Sequence, residues 1–298
     1  MDNKSLYKIY SQSEIGKKWL ISLDSFLDII FCEEVGIIVK KYEEHNNSFA
    51  VVRYSEKFAS IIILISIGDD TEREKILKRI ITDCEDRGVE ELYLGHKVGR
   101  YMWPGLPFES NDLNFYLENG FVYYWDNPSE DMILDIVEFE ADKKAYVHIE
   151  KYGYSITLAK ESDSEKIINF EEKEFPNWVK HFKRVIEEGE IDKILLVKDK
   201  DDVIVGSSIL FWGDYKFREL FDKLTGGAGA VGIGEEYRGR GLGLAMQTKA
   251  LEILRDKGVE IAIVEYTGEA GFYRKLGFRT WRKFHMLKKN LFYKRSSK

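Results

Sequence analysis

Cysteine is nearly missing from this chain, with only Cys32 and Cys84 in 298 residues. Two such positions build no disulfide framework, and neither they nor the five scattered histidines have the spacing of metal ligands. The expectation is a reduced, cytoplasmic protein that holds no metal. Long apolar runs are missing too. The longest, Ile61–Ile67, falls far short of the roughly 20 residues that span a bilayer, and Met1-Asp2-Asn3-Lys4-Ser5 carries no apolar signal core. Ile61–Ile67 therefore reads as a buried strand, and no membrane partner is expected. Positive charge is also short: the net charge is −7 and the pI near 5.5, which argues against nucleic acid as the main partner. What the chain does have is 44% hydrophobic and 14% aromatic residues, enough for real cores. Its length fits one large or two medium domains.

Against that acidic background one stretch is different, Ala228–Phe278. Ala230-Val231-Gly232-Ile233-Gly234 is a short apolar run with strand character, and its glycines leave no side-chain bulk, so a slender ligand can lie against the backbone. The loop Arg238-Gly239-Arg240-Gly241-Leu242-Gly243 follows. Its glycines take positive φ at little cost, and it leaves amide N–H groups free at the start of a helix over 242–257. That N-terminus carries roughly +0.5 charge, two arginines stand beside it, and a diphosphate is the guest such a site attracts. The helix has Met246, Ala250, Ile253 and Leu254 on one face and Gly258 as its C-terminal stop. Two other readings compete. Gly227–Gly232 fits the G-x-G-x-x-G spacing of dinucleotide-binding turns, yet it follows the helix-like Asp214–Lys223 and runs into a strand, the reverse of what that motif requires. The plainer alternative is a flexible basic turn.

In this order and spacing the parts resemble the acetyl-coenzyme A core of the GNAT N-acetyltransferase superfamily. Arg238, Gly241 and Gly243 meet the signature Arg/Gln-x-x-Gly-x-Gly/Ala, Ile261–Glu265 reads as the next strand, and Phe272-Tyr273-x-x-x-Gly277-Phe278 matches the family's helix and following turn. The resemblance implies acetyl-CoA as co-substrate. Its pantetheine arm would lie along the backbone of Val231, Gly232 and Ile233, and its diphosphate against Arg238, Gly239, Arg240, Gly241, Leu242, Gly243 and Leu244. Many members place an Asn after the second strand, where this chain has Thr267-Gly268-Glu269-Ala270-Gly271. One contact to the pantetheine arm is then made differently.

Residues 1–150 read as a degenerate copy of residues 151–298. Asp86-Arg87-Gly88-Val89-Glu90 returns as Asp256-Lys257-Gly258-Val259-Glu260, and Phe115-Tyr116-x-x-x-Gly120-Phe121 returns as the Phe272–Phe278 pattern, the two matches flanking the same strand. The loop Gly95–Asp112, with Met102-Trp103-Pro104-Gly105-Leu106-Pro107, is a longer excursion in the first copy. Where the second copy has its glycine loop, the first has Ser66–Arg73, and Asp69, Asp70 and Glu72 occupy the positive helix end. A diphosphate is repelled there, so acetyl-CoA is expected only in the second half. The expected fold class is α/β, of the α+β kind: two tandem GNAT folds, each a mixed, mostly antiparallel sheet flanked by helices, joined near 148–153. Met132–Glu140 reads as a strand and Ala141–Lys144 as a turn. Ser155–Ala159, Ile194–Lys198 and Val203–Phe211 read as strands of the second half, with a helix after Glu161-Ser162-Asp163.

No cysteine lies in 151–298, and neither Ser207 nor Ser208 has a local histidine, so a covalent acyl-enzyme lacks a nucleophile. Direct attack by a primary amine in a ternary complex is left. A carboxylate can take the amine's proton. Glu265, inside an apolar strand, is one candidate, because a charge there is costly without a partner or a purpose; a surface-facing Glu265 is the alternative, and Glu174 is a second candidate. The family match gives Tyr273 the role of general acid toward the departing thiolate, against the alternative of a core tyrosine. In this family the segment between the first two strands covers the acceptor, and Glu174, Phe175 and Trp178 stand there, against the alternative of aromatics pinned to the core. Among tandem members, the Trp103–Pro107 loop and the Phe115–Phe121 helix look most like glucosamine and glucosaminide N-acetyltransferases. The expected partner is thus a small amine, an amino sugar, with Trp103 as a further contact. Acetylation of a protein or peptide amine and a non-catalytic acetyl-CoA-binding module stay open, as do monomer and homodimer.

Overall fold

The computed structural model describes residues 1–45, 47–67 and 70–291. Three helices lead: α1 (Asn3–Gln12), α2 (Glu14–Lys18) and α3 (Leu23–Phe31). Asp2, Ser13 and Ser22 start them, each side chain accepting the amide N–H three residues on, from Ser5, Gly16 and Ser25. Then come β1 (Ile38–Glu44), β2 (Ser48–Tyr54), β3 (Phe58–Ser66), α4 (Asp70–Arg87), β4 (Glu91–Leu94), β5 (Leu106–Pro107), α5 (Leu113–Glu118) and β6 (Val122–Tyr123). The rest of the chain supplies β7 (Ser129–Asp135), α6 (Val147–Tyr152), β8 (Ser155–Leu158), α7 (Ser164–Glu174), α8 (Val179–Glu187), β9 (Ile194–Lys198) and β10 (Ile204–Trp212). It ends with β11 (Thr225–Ile233), α9 (Leu242–Asp256), β12 (Ile261–Thr267), α10 (Ala270–Arg274), β13 (Arg279–His285) and β14 (Leu287–Asn290).

These elements form two compact units, Met1–Glu130 with the segment from Arg282 onward, and Asp131–Trp281. The division therefore falls at Glu130 and Asp131 where the sequence placed a join near 150, and it is not a single cut. The first unit's sheet runs β1-β2-β3-β4-β14-β6, so its fifth strand is the last one among the described residues. Lys288 of β14 pairs with Tyr93 on one side and with Val122 on the other, and Leu287 is fully buried. In the second unit the order is β8-β9-β10-β11-β12-β7, with β13 next to β7, and β7 comes from the end of the first half of the sequence. Each half thus gives its last strand to the other unit's sheet. The ladder of so short a strand is made by backbone groups that every residue carries, so the four residues Leu287–Asn290 do not by themselves record which sheet they join.

The first core packs Leu77 and Ile80 of α4 with Leu92, Phe121 and Leu287. In the second unit both sheet faces are covered, and β9 shows how. Ile194, Leu195, Leu196 and Val197 are all fully buried. Side chains alternate across a strand, so Leu195 and Val197 meet Met246 and Leu254 of α9, while Ile194 and Leu196 meet Ile167 and Phe182 of α7 and α8. Each such side chain contributes roughly 1.5–3 kcal/mol of burial. Two expectations fail locally. The strand read as Met132–Glu140 spans Ser129–Asp135, and what followed as a turn continues into a 3-10 segment, Lys143–Tyr146, and α6. The segment 214–223, read as helix-like, contains only the 3-10 turn Arg218–Leu220. Tyr215 and Phe217 are both buried, and residues two apart do not share a helix face. Among the described residues no helix is long and apolar enough to cross a membrane.

The exchange of strands makes a stability prediction. Leu287→Ala should destabilise the protein by about 2–5 kcal/mol, as for any leucine in a closed core, measured by urea unfolding. A change under about 0.5 kcal/mol, the size of a surface substitution, would mean that β14 is not part of that core.

Candidate functional site

The site is built where two parallel strands part. β11 and β12 pair in parallel only at Thr225, Gly226 and Gly227 with Ile261, Ala262 and Ile263, a connection that needs the crossover α9 supplies. Gly227 has to be glycine here, since a Cβ would lie 2.2 Å from the Ile263 carbonyl oxygen. Both strands then bend. In β11 the register against β10 shifts between Ile209↔Gly229 and Ser207↔Gly232, so Ser208 faces two residues, a β-bulge. Ala230 in that bulge has φ 48°. In β12 Tyr266 has φ 52°, and its amide N–H donates to the Asp131 carboxylate at 2.9 Å, a side chain that is itself buried on β7. Past the bends β11 keeps an open edge. Gly229 lies beside it, and a Cβ there would meet nothing within 4 Å.

The end of β11 runs into the glycine loop. Gly239 and Gly241 have φ of 76° and 78°. Gly241 is the N-cap of α9, and among the described residues no side chain caps that end, which leaves the helix's first amides for an external acceptor. Arg238 Nε donates to the Ile233 carbonyl at 2.9 Å and ties the loop to the strand. Arg240 donates to the Tyr154 hydroxyl at 3.0 Å and to the Glu236 carbonyl at 2.8 Å. Both arginines are exposed while Leu242 is buried, so the loop is anchored by one leucine and presents two cations. Gly243 and Leu244 are half-buried in the first turn. The corresponding end of α4 is different: Arg73 donates to Asp70 at 2.7 Å and also pairs with Asp112. That helix end is answered internally by carboxylates. Asp69 lies outside the described residues.

Tyr273 on α10 is 7% exposed, with Phe272 and Phe278 edge-on at 5.0 and 5.7 Å. Phe272 also stands beside α9's first turn, where a Cβ on Gly243 would meet it at 3.7 Å. Burial pushes the Tyr273 hydroxyl up to about 12, with a smaller contribution from Glu269, so it holds its proton at neutral pH. Phe175 and Trp178 stack at 4.6 Å and 20°, and the Phe175 ring lies directly on Gly232, where a Cβ would be 2.4 Å from it. The expected substrate aromatics are thus brought to the strand that the loop extends. The two carboxylates named as bases are both engaged. Glu265 is 3.1 Å from the Lys216 ammonium. Glu174 accepts the Glu235 amide at 3.0 Å and lies 2.9 Å from Lys173. The backbone hydrogen bond, then the lysine, hold its carboxyl below the usual range. Trp103 belongs to the first unit, where it is buried beside Trp19 at 6.1 Å.

One residue was missed. Glu171, one turn before Phe175 on α7, is fully buried. Its Oε1 accepts the Ser207 hydroxyl, its Oε2 has no partner among the described residues, and burial pushes the carboxyl up to about 7. A signal was available: Glu171 falls four residues from both Ile167 and Phe175, on the apolar stripe of an otherwise polar helix. Among the described residues no cluster of His, Cys, Asp and Glu could hold a metal ion.

Residues 158–278 match the Acetyltransferase (GNAT) family. None of the curated proteins compared with the chain matches it. Among solved structures, the chain is similar to the GCN5-related glucosamine N-acetyltransferase region of a fungal multi-domain GH3 beta-N-acetylglucosaminidase. The TM-score is 0.84 at 20% identity over 96% of this chain, which spans only 37% of that one. A tandem GNAT protein from the clavulanic acid biosynthesis pathway aligns over 98% of this chain and 95% of its own, with TM-score 0.63 and 9% identity. A GCN5-related N-acetyltransferase from Sphaerobacter thermophilus aligns over 96% and 92%, with TM-score 0.65 and 13% identity. At these identities the likeness establishes the fold, two GNAT folds in tandem.

The loop geometry predicts opposite outcomes for two neighbouring glycines. Gly241→Ala forces a side chain into the left-handed region and should cost about 1–2 kcal/mol. Gly243→Ala sits inside the helix with room around it and should be neutral or stabilising by up to about 1 kcal/mol. Urea unfolding of both variants decides the matter, and equal effects would contradict it.

Proposed function

We propose that the protein is an N-acetyltransferase that moves an acetyl group from acetyl-CoA to the primary amine of an amino sugar, by direct attack in a ternary complex. The observation that carries the reading is the junction of β11 with α9: an open strand edge running into an uncapped, glycine-turned helix N-terminus flanked by Arg238 and Arg240. The pieces fit the two ends of acetyl-CoA. A secondary amide chain such as pantetheine pairs with an open strand edge, and a diphosphate suits bare helix amides and two guanidinium groups. The match of residues 158–278 to the GNAT family supports the same assignment.

In this reading the Val231–Gly234 amides polarise the thioester carbonyl, and the amine nitrogen attacks its carbon. The C–S bond breaks, and Tyr273, protonated at neutral pH, donates its proton to the sulfur. The stacked Phe175 and Trp178 give an apolar wall on which a sugar ring can lie. The glucosamine N-acetyltransferase activity named for the fungal relative supports an amino sugar over other amines.

Tyr273→Phe should lower kcat by about 10²- to 10⁴-fold while leaving acetyl-CoA affinity unchanged by calorimetry; unchanged turnover at saturating substrates would remove Tyr273 from the mechanism. The acceptor is tested by thiol release with glucosamine, chitosan oligomers, spermidine, aminoglycosides and a lysine peptide. Preference for a polyamine or peptide by more than about tenfold in kcat/KM, roughly 1.4 kcal/mol in transition-state binding, would leave the acetyltransferase standing without the amino sugar.

A further inference from the structure

A buried carboxyl with one bare oxygen is expensive to keep unless it has a purpose, and Glu171 is such a group. Its position is specific. Ser207, whose hydroxyl donates to it, stands directly across from Gly232 in the β10 and β11 register. Cross-strand partners project to the same sheet face. That face of Gly232 is the one covered by the Phe175 ring, and Phe175 follows Glu171 by one helical turn. Acid, hydroxyl and ring therefore meet behind one residue of the open strand.

We propose that Glu171, reached through the Ser207 hydroxyl, accepts the proton that the acceptor amine loses during acetyl transfer. The inference rests on the acetyltransferase reading above. As the nitrogen to carbon bond forms, the amine N–H passes its proton to Ser207 Oγ, which passes its own to Glu171 Oε1. The thiolate leaves with the proton of Tyr273. After the product departs Glu171 releases its proton to solvent and Tyr273 takes one back from solvent, so Ser207 is a relay and no acyl group is bound to it.

The electrostatics suit the role. Burial pushes the Glu171 carboxyl up to about 7, opposed by the Ser207 hydrogen bond, which places it where a base works best near neutrality. Charged neighbours on the packed elements are otherwise engaged or of other kinds. On α8, Lys183 lies 3.4 Å from Glu172 and Arg184 4.0 Å from Glu188, while His181 is held low in pKa by burial and by Lys180 and Arg184. Asp163 of the turn before α7 lies 2.7 Å from Lys198. β10, Ile204–Trp212, carries no charged residue. Glu265 lies against the Lys216 ammonium, and the Glu235 amide and then Lys173 hold the Glu174 carboxyl below the usual range, which makes it a weak base.

The test compares wild type, Glu171→Gln, Glu171→Asp, Ser207→Ala and Ser207→Thr in thiol release from acetyl-CoA with saturating glucosamine, across pH. The proposal expects kcat of Glu171→Gln and Ser207→Ala to fall by about 10²- to 10⁴-fold, with acetyl-CoA affinity by calorimetry unchanged. The rise of wild-type kcat with pH near 7 should vanish in those two variants, move in Glu171→Asp and persist in Ser207→Thr. The amine's own titration appears in kcat/KM of every variant alike, so kcat at saturation is the readout. Stability gives an independent check. A carboxyl raised in the folded state holds its proton longer than in the unfolded chain, so wild type loses stability as pH rises from the ordinary glutamate range to about 7. Glu171→Gln should lose that slope and melt no lower than wild type at alkaline pH. A Glu171→Gln enzyme that keeps the kcat rise, or turns over within about threefold of wild type, overturns the proposal even if it is destabilised. A wild type that acetylates no amine sinks the acetyltransferase reading and the proposal with it, whereas failure of the proposal alone leaves wild type active.

Discussion

The parting of β11 and β12 after three paired residues is the constraint on which the second unit is arranged. Both strands make the bend with a residue other than glycine at positive φ, Ala230 and Tyr266, and such conformations cost of order 1–3 kcal/mol each. They persist because the surroundings over-determine them. Ala230 is fixed by the register on both sides of its bulge, and Tyr266 by the Asp131 carboxylate. Asp131 comes from β7, the strand that enters this sheet from the earlier half of the chain. The strand exchange therefore reaches the site through the hydrogen bond between Asp131 and Tyr266.

Charge follows from the same opening. The chain is acidic as a whole, yet the helix that starts at the end of β11 shows bare amides and two arginines. The matching helix of the first unit starts with Asp70 and Glu72 and pairs Arg73 with carboxylates of its own unit. A parallel pair opens there too, with β3 and β4 joined only from Phe58 to Ile61. The two units thus share the backbone device and differ in what stands at the helix N-terminus, which decides whether an anion is attracted or already replaced.

Within the second unit, burial sorts the acids. Glu174 is held below the usual carboxylate range by a backbone amide and a lysine, Glu171 is enclosed with a hydroxyl and titrates near neutrality, and Tyr273 is enclosed by two phenylalanines and keeps its proton. Groups pushed apart in this way can exchange protons in one direction during a reaction.

What could be read from the residues is what depends on local chemistry. Gly239, Gly241 and Gly258 mark positive φ because glycine takes it at little cost, and all three have it. The apolar stripe of α9 fixes its buried face. The repeated Gly88 and Gly258 segments mark equivalent helix ends. What the residues could not show depends on partners distant in sequence. Two short strands of mixed polarity, β7 and β14, do not record which sheet they join, and the aromatic segment 214–223 looks helical until Tyr215 and Phe217 are both drawn into the interior. Glu171 reads as one more acid in the run Glu171-Glu172-Lys173-Glu174. Only packing against Ser207, 36 residues away, removes it from water, and a carboxyl's proton affinity is set by that removal and not by its neighbours in the chain.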